Sequence, residues 1–193
     1  DNIGIYNPTS DTYTSGTSHG QGYIAFDGGV LLPNGNVVLV PHHSDNIGIY
    51  NPTSDTYIDG PSHGQGEFAS TFSGGVLLPN GNVVLVPYNS GTIGIYNATS
   101  DTYSDGSSHG QGNWAFSGGV LLPNGNVVLV SYSSLKIGIL KVYYSCYGVH
   151  ANSSNVCSSH GECISYNQCK CNIGYTGENC ETLETPNCEN GES

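Results

Sequence analysis

Two kinds of apolar run alternate along residues 1 to 145. One is unbroken: VVLV at Val37–Val40, again at Val83–Val86 and again at Val127–Val130. Four apolar residues with no polar alternate predict strands covered on both faces, as inner members of stacked sheets are. The other run alternates. IGIY starts at Ile3, Ile47 and Ile93, and weakens to IGIL at Ile137, which puts Gly48, Gly94 and Gly138 opposite the aliphatic residues. A glycine there predicts close approach of a neighbouring sheet. Asn34-Gly35, Asn80-Gly81 and Asn124-Gly125 sit between apolar runs and predict tight hairpins with φ > 0 at both central residues. In the second unit these signals place strands over residues 73–78, 82–87, 92–96 and 101–104.

The pattern is a repeat. GGVLLPNGNVVLV occurs unchanged at 28–40, 74–86 and 118–130, and the IGIY starts are 44, 46 and 44 residues apart. Four antiparallel strands in a unit of that length predict an all-β fold built from β-propeller blades. GGVLLPNGNVVLVP followed by IGIYNPTSDTY resembles the kelch-type blade, with Tyr6-Asn7-Pro8-Thr9 and Tyr50-Asn51-Pro52-Thr53 as its turn; Tyr96-Asn97-Ala98-Thr99 lacks the proline. Where kelch blades carry Gly-Gly after the second strand, this chain has Pro41-His42, Pro87-Tyr88 and Ser131-Tyr132. The resemblance implies blade geometry and says nothing of activity. The repeats open on the last two strands of a unit and close on the first three of another, about three blades in all. Upstream blades, a second chain completing the ring, or an open stack of units each fit that count.

Charge narrows the partners. Lys136, Lys141 and Lys170 are the only cations in 193 residues and the formal net charge is -12. With so few cations to release counterions, nucleic acid is not expected as a partner, and an anionic membrane surface is disfavoured for the same reason. No apolar run is long enough for a membrane-inserting helix. Helix formers are scarce and Met is absent, so the sequence reads as a processed product or fragment with any targeting segment upstream.

Repetition also weighs on the candidate chemistry. SHGQG recurs at 18–22, 62–66 and 108–112, so His19, His63 and His109 could meet on a metal if the links crowd a central opening. Against this, each histidine lacks a carboxylate to orient it and more simply holds a Gly-rich turn. No cofactor is expected. His42-His43 is unrepeated and reads as a solvated loop. Asp11, Asp55 and Asp101 each open a DTY strand, with Asp59 and Asp105 four residues beyond the latter two. Paired carboxylates suit acid–base work or Ca²⁺, but three copies of one group do not make an enzyme site, and turn-forming aspartate is preferred. No catalytic motif occurs in context, so no enzyme is expected. The repeated tyrosines read as half-buried strand aromatics, with sugar stacking as the alternative. Asn97 and Asn152 are acceptors for N-linked glycan, whereas proline blocks Asn7 and Asn51.

All seven cysteines lie between Cys146 and Cys188. Such density predicts a disulfide framework and an oxidising compartment, so the protein is expected outside the cell, secreted or at its surface. Spacing alone leaves the six cysteines of residues 146–180 with 15 possible pairings. Cys169-Lys170-Cys171, Gly174-Tyr175-Thr176-Gly177 and Cys180 closely resemble the epidermal-growth-factor-like (EGF) module. That resemblance implies Cys146–Cys163, Cys157–Cys169 and Cys171–Cys180. It also marks Thr176 for O-linked modification, and the absence of acidic residues before Cys146 argues against calcium. Cys188, within residues 181–193, would then belong to a truncated second module or bridge to another chain. Repeats over 1–145 followed by an EGF-like module resemble extracellular structural and adhesion proteins, among them the subunits of algal flagellar hairs. The expectation is a glycoprotein that assembles with copies of itself into filaments or a surface layer; the alternative is an adhesion module binding glycan or protein on the propeller face.

Overall fold

A computed structural model describes residues 2–67, 69–142 and 145–184. Cys188 lies outside the described residues. The chain divides into two compact units, one of the repeats as far as Leu140 without Pro123–Gly125, the other of Pro123–Gly125 and the module from Lys141 onward.

The repeat unit is a row of antiparallel sheets, the propeller-like all-β architecture. The first sheet has two strands, β1 (Asn2–Asn7) and β2 (Thr12–Ser18). Two complete blades follow: β3 (Phe26–Leu31), β4 (Val37–Pro41), β5 (Asn46–Asn51) and β6 (Thr56–Ser62), then β7 (Phe72–Leu77), β8 (Asn82–Pro87), β9 (Thr92–Asn97) and β10 (Thr102–Ser108). The last sheet has three strands, β11 (Phe116–Leu121), β12 (Val127–Ser131) and a short β13 (Gly138–Leu140). Every neighbouring pair within these sheets is antiparallel. Each outer strand of a complete blade runs further than its sequence suggests, because a bulge opposite the glycine (between Asp105 and Ser108 in β10) keeps it paired.

The middle unbroken apolar run lies where both faces are covered, whereas Val130 at the end of the third is 47% exposed. Val83, Val84, Leu85 and Val86 of β8 are all fully buried. Blades meet through the Gly-Gly of the repeat. A Cβ on Gly28 would stand 3.1 Å from the Cα of Gly74, and one on Gly74 would stand 3.5 Å from that of Gly118. The second glycine admits the preceding blade: Gly75 faces Val30 and Val40, and Gly119 faces Val76 and Val86. A side chain at Gly75 would come within 2.8 Å of Val30, and one at Gly119 within 2.9 Å of Val76, so the second glycine keeps successive blades in contact.

Two local expectations need correction. The hairpins at Asn-Gly are not turns with two positive φ angles. Gly35 donates its N–H to Leu32 O at 3.0 Å, so Pro33 and Asn34 are the central residues and only Gly35 is left-handed, at φ 86°. Proline's fixed negative φ imposes this arrangement. The glycines of the IGIY strands, in turn, do not receive a neighbouring sheet. Rings of the same blade fill the space: a Cβ on Gly48 would lie 2.9 Å from both Phe26 and Tyr57.

The second unit carries β14 (Ser145–Cys146), β15 (Val149–His150), β16 (Gly161–Ser165), β17 (Gln168–Cys171), β18 (Tyr175–Thr176) and β19 (Thr182–Leu183), paired as three hairpins. Disulfides join Cys146 to Cys163, Cys157 to Cys169 and Cys171 to Cys180. Its core is largely cystine: Cys146, Val156, Cys157, Cys163 and Cys180 form the buried cluster.

Candidate functional site

Each link between blades ends on the same polar clasp. His63 Nε2 lies 2.9 Å from Ser44 O, and His109 Nε2 lies 2.7 Å from Ser90 O. Each backbone carbonyl needs a donor, which fixes the proton on Nε2 and leaves Nδ1 to accept the N–H of Gln65 or Gln111. The glutamines complete the clasp: Ser44 Oγ donates to Gln21 Oε1 at 3.2 Å, Gln65 Nε2 donates to Ser90 Oγ at 3.1 Å, and Ser134 Oγ donates to Gln111 Oε1 at 3.0 Å. His19, His63 and His109 therefore do not converge on a metal. Among the described residues, the one group of three His, Cys, Asp or Glu ligand atoms lying within 4.8 Å of one another is Cys146, Cys157 and Cys169, all disulfide-bonded. The glutamines and serines were not singled out in the sequence, although the signal was there: each glutamine stands two residues after its histidine, and Ser44, Ser90 and Ser134 each stand three residues before an IGI run.

An aromatic triad sits on each clasp. His19 meets Phe26 edge-on at 5.3 Å and Tyr57 at 6.1 Å. His63 meets Phe72 at 5.6 Å and Tyr103 at 6.2 Å in the same way. His109 meets Phe116 at 5.4 Å, but among the described residues no outer strand brings a tyrosine to that sheet. A cavity of about 350 Å³ opens there, lined among others by Ile93, His109, Gln111, Phe116, Ile137 and Gly138.

The aspartates hold tyrosines, not their own backbone. Asp11, Asp55 and Asp101 are left-handed (φ 51°, 49° and 51°), and each Oδ1 accepts the hydroxyl of Tyr6, Tyr50 or Tyr96 at 2.9–3.0 Å. Asp55 Oδ1 also accepts the N–H of Thr17 from the preceding sheet at 2.9 Å. The aspartates still occupy the turn, but its side-chain-to-backbone bonds come from asparagine: Asn51 Oδ1 accepts from the N–H of Thr53 and of Ser54. Asp59 and Asp105 take the hydroxyls of Tyr57 and Tyr103. Burial, then the adjacent carboxylate, raises the pKa of Tyr50, Tyr57, Tyr96 and Tyr103 above 10. A raised folded-state pKa gives stability that is complete below the unfolded value and is lost as pH climbs past it. Stability should therefore decline above pH 10. In an absorbance titration these tyrosines should ionise only as the fold is lost; a single transition of all tyrosines near pH 10 in folded protein would contradict it.

Asp55 also yields a test of the contact between sheets. Asp55→Ala leaves the buried Tyr50 hydroxyl without its acceptor, at a cost of about 1–3 kcal/mol. Asp11→Ala, whose Tyr6 is exposed, should cost much less; equal losses in thermal unfolding would count against the contact.

His42-His43 is not a solvated loop. His42 Nδ1 bonds Phe72 O at 2.8 Å, and His43 Nε2 lies 3.0 Å from Ser70 Oγ. His42 begins a row of rings on three successive blades, 5.6 Å from Tyr88, which is 5.4 Å from Tyr132. Asn152 and Thr176 are exposed and Asn97 is half-buried, its Oδ1 closing a turn.

The family described as a Teneurin-like EGF domain matches residues 154–182. No curated protein matches the chain. The repeats are similar to the extracellular domain of a protein described as a one component system from B. thetaiotaomicron, with TM-score 0.53, 10% identity, 75% of this chain and 19% of that one covered. They are also similar to virginiamycin B lyase from Staphylococcus aureus. Its catalytically inactive form with quinupristin gives TM-score 0.51, 15% identity and coverage of 73% and 48%. The selenomethionine form gives TM-score 0.51, 13% identity and coverage of 80% and 61%. The chain spans less than two thirds of each of these, and at such identity the likeness concerns the fold.

Proposed function

We propose that this is an extracellular structural glycoprotein that assembles with copies of itself, through its β-repeats, into filaments or a surface layer. One observation carries the reading. Among the described residues the last repeat sheet has no strand beyond β13, and Ile137 and Ile139 are exposed, whereas Ile47, Ile49 and Ile93 at the matching positions of complete blades are buried. An apolar edge of that kind is a template for pairing with another chain. The EGF-like module with its three disulfides fits an oxidising, extracellular setting, and the exposed Asn152 and Thr176 fit covalent glycan. Enzymatic activity is no part of the reading. The polar groups recur blade by blade in the same role, whereas a catalytic site needs unlike groups meeting once; the lyase named above shares the fold at 13–15% identity.

Electron microscopy of native-source material, kept free of reductant, tests the proposal. Ordered filaments or sheets labelled by an antibody to this chain are expected, and labelled isolated particles would overturn it. A second reading, adhesion to glycan or protein, is favoured by the ring row of His42, Tyr88 and Tyr132. Saturable binding of a sugar by monomeric protein, lost in Tyr132→Ala, would support it.

A further inference from the structure

We infer that one end of the blades is a site for a neutral sugar chain, whose hydroxyls Asp27 and His42 hold while a sugar ring stacks on Tyr132. This rests on the glycan-adhesion reading and names the class of sugar and the groups that grip it.

Divergence between the copies is the first argument. SHGQG and GGVLLPNGNVVLV are unchanged in all three, yet the link between them reads YIAFD at 23–27, EFASTFS at 67–73 and NWAFS at 113–117. Just after the second constant segment the chain reads PHHS at 41–44, PYNS at 87–90 and SYSS at 131–134. These variable pieces meet in space. His42 donates its N–H to Ala25 O, Thr71 to His42 O, Tyr88 to Thr71 O, Ala115 to Tyr88 O and Tyr132 to Ala115 O, all at 2.8–3.0 Å. A belt of backbone bonds thus passes from blade to blade and carries unlike side chains, whereas the clasps recur. Length changes among repeats fall on a binding face, and the second of these links is two residues longer than the others.

Strain marks the same place. Ile24, Ser70 and Trp114 hold matching left-handed positions, at φ 53°, 51° and 56°. That conformation is costly for isoleucine and tryptophan, and such cost gathers at binding sites. It sets Trp114 against the loop of Tyr132, where Ser133 donates its N–H to Trp114 O at 3.0 Å.

The polar groups select the ligand. Ser73 donates to Asp27 Oδ2 at 2.7 Å from the next blade, which leaves Oδ1 as an acceptor. Ser73 and Ser117 stand where Asp27 does in the other copies, so the carboxylate occurs once. Phe72 O fixes the proton of His42 on Nδ1, so Nε2 is an acceptor too. Burial, then the hydrogen bond and charge of Tyr132, then the charge of Asp27, raises the pKa of Tyr88, which keeps its hydroxyl a donor. Two acceptors and the ring of Tyr132, 63% exposed, match hydroxyls around the apolar face of a sugar. A carboxylate in a chain of net charge -12 repels acidic sugars.

Titration calorimetry of the whole 193-residue chain, disulfides intact, tests this with cellotriose, mannotriose and galactotriose, and with trigalacturonic acid as their charged counterpart. A neutral trisaccharide should bind saturably, and the acid about tenfold more weakly or worse. Asp27→Asn keeps an acceptor for Ser73 but loses the charge. It and Tyr132→Ala, both at exposed positions, should each weaken binding about tenfold or more without lowering the melting temperature. If Asp27→Asn leaves binding intact, or if the acid binds as tightly, this inference is wrong while the glycan reading stands. If none of these sugars binds, both fall.

Discussion

Phe72→Ala is expected to cost about 3–5 kcal/mol, the range for emptying an aromatic site in a packed core. The ring is fully buried. It lies against His63 and Tyr103 and occupies the space above Gly94, where even a Cβ would come within 2.9 Å of it. No neighbour can collapse into the gap, because Gly94 has no side chain and the clasp fixes His63 to Ser44 O. The damage should spread from the third sheet to the second, since His63 belongs to the link between them. Chemical or thermal unfolding of the repeats gives the readout. A loss under about 1 kcal/mol would mean that the triad does not hold the blades together.

Removing the disulfide Cys157–Cys169 by a double change to serine should have an effect of similar size, confined to the other unit. Loss of one native bridge from a small secreted domain typically costs 2–5 kcal/mol and often abolishes folding. Here the bridge also supplies packing, because four of the five residues in the buried cluster are half-cystines. The repeats carry no cysteine before Cys146, so their β-sheet circular dichroism should persist. Limited proteolysis with mass spectrometry should find new cuts between residues 146 and 184 and few elsewhere. Protection of that region after the double change would show that the hairpins hold without the bridge.

The blade architecture was legible because period and turn chemistry point the same way. Val83–Val86, apolar throughout, is buried throughout. Glycine was harder to read. Gly48 and Gly94 signalled close approach, but no pattern says whether the visitor is a neighbouring sheet or a ring of the same one; Phe26, Phe72 and their tyrosines settle that only in three dimensions. The aspartates were misassigned for a related reason. Asp55 and Asn51 are both turn formers by type, and only the reach of Tyr50 across the turn separates their roles. The candidate metal histidines could not be judged from spacing, since a repeated residue converges or stays apart according to blade placement. In the cysteine module, spacing left the pairing open, and the EGF resemblance was needed to choose one.

The verbatim repetition has a kinetic consequence. During folding, β4 cannot distinguish the apolar strand β5 from the near-identical β9, because the side chains that would reject the wrong partner are the same. What separates them is the length of chain between. The right partner lies a few residues away and the wrong one roughly tenfold further, which makes the wrong closure about 2 kcal/mol less favourable at ~0.6 kcal/mol per doubling of loop length. Dilute chains should then refold mostly in order, with a minority on the order of one in thirty starting from an exchanged strand and correcting slowly. In this protein the order of the blades is kept by the tether, not by the code of its side chains.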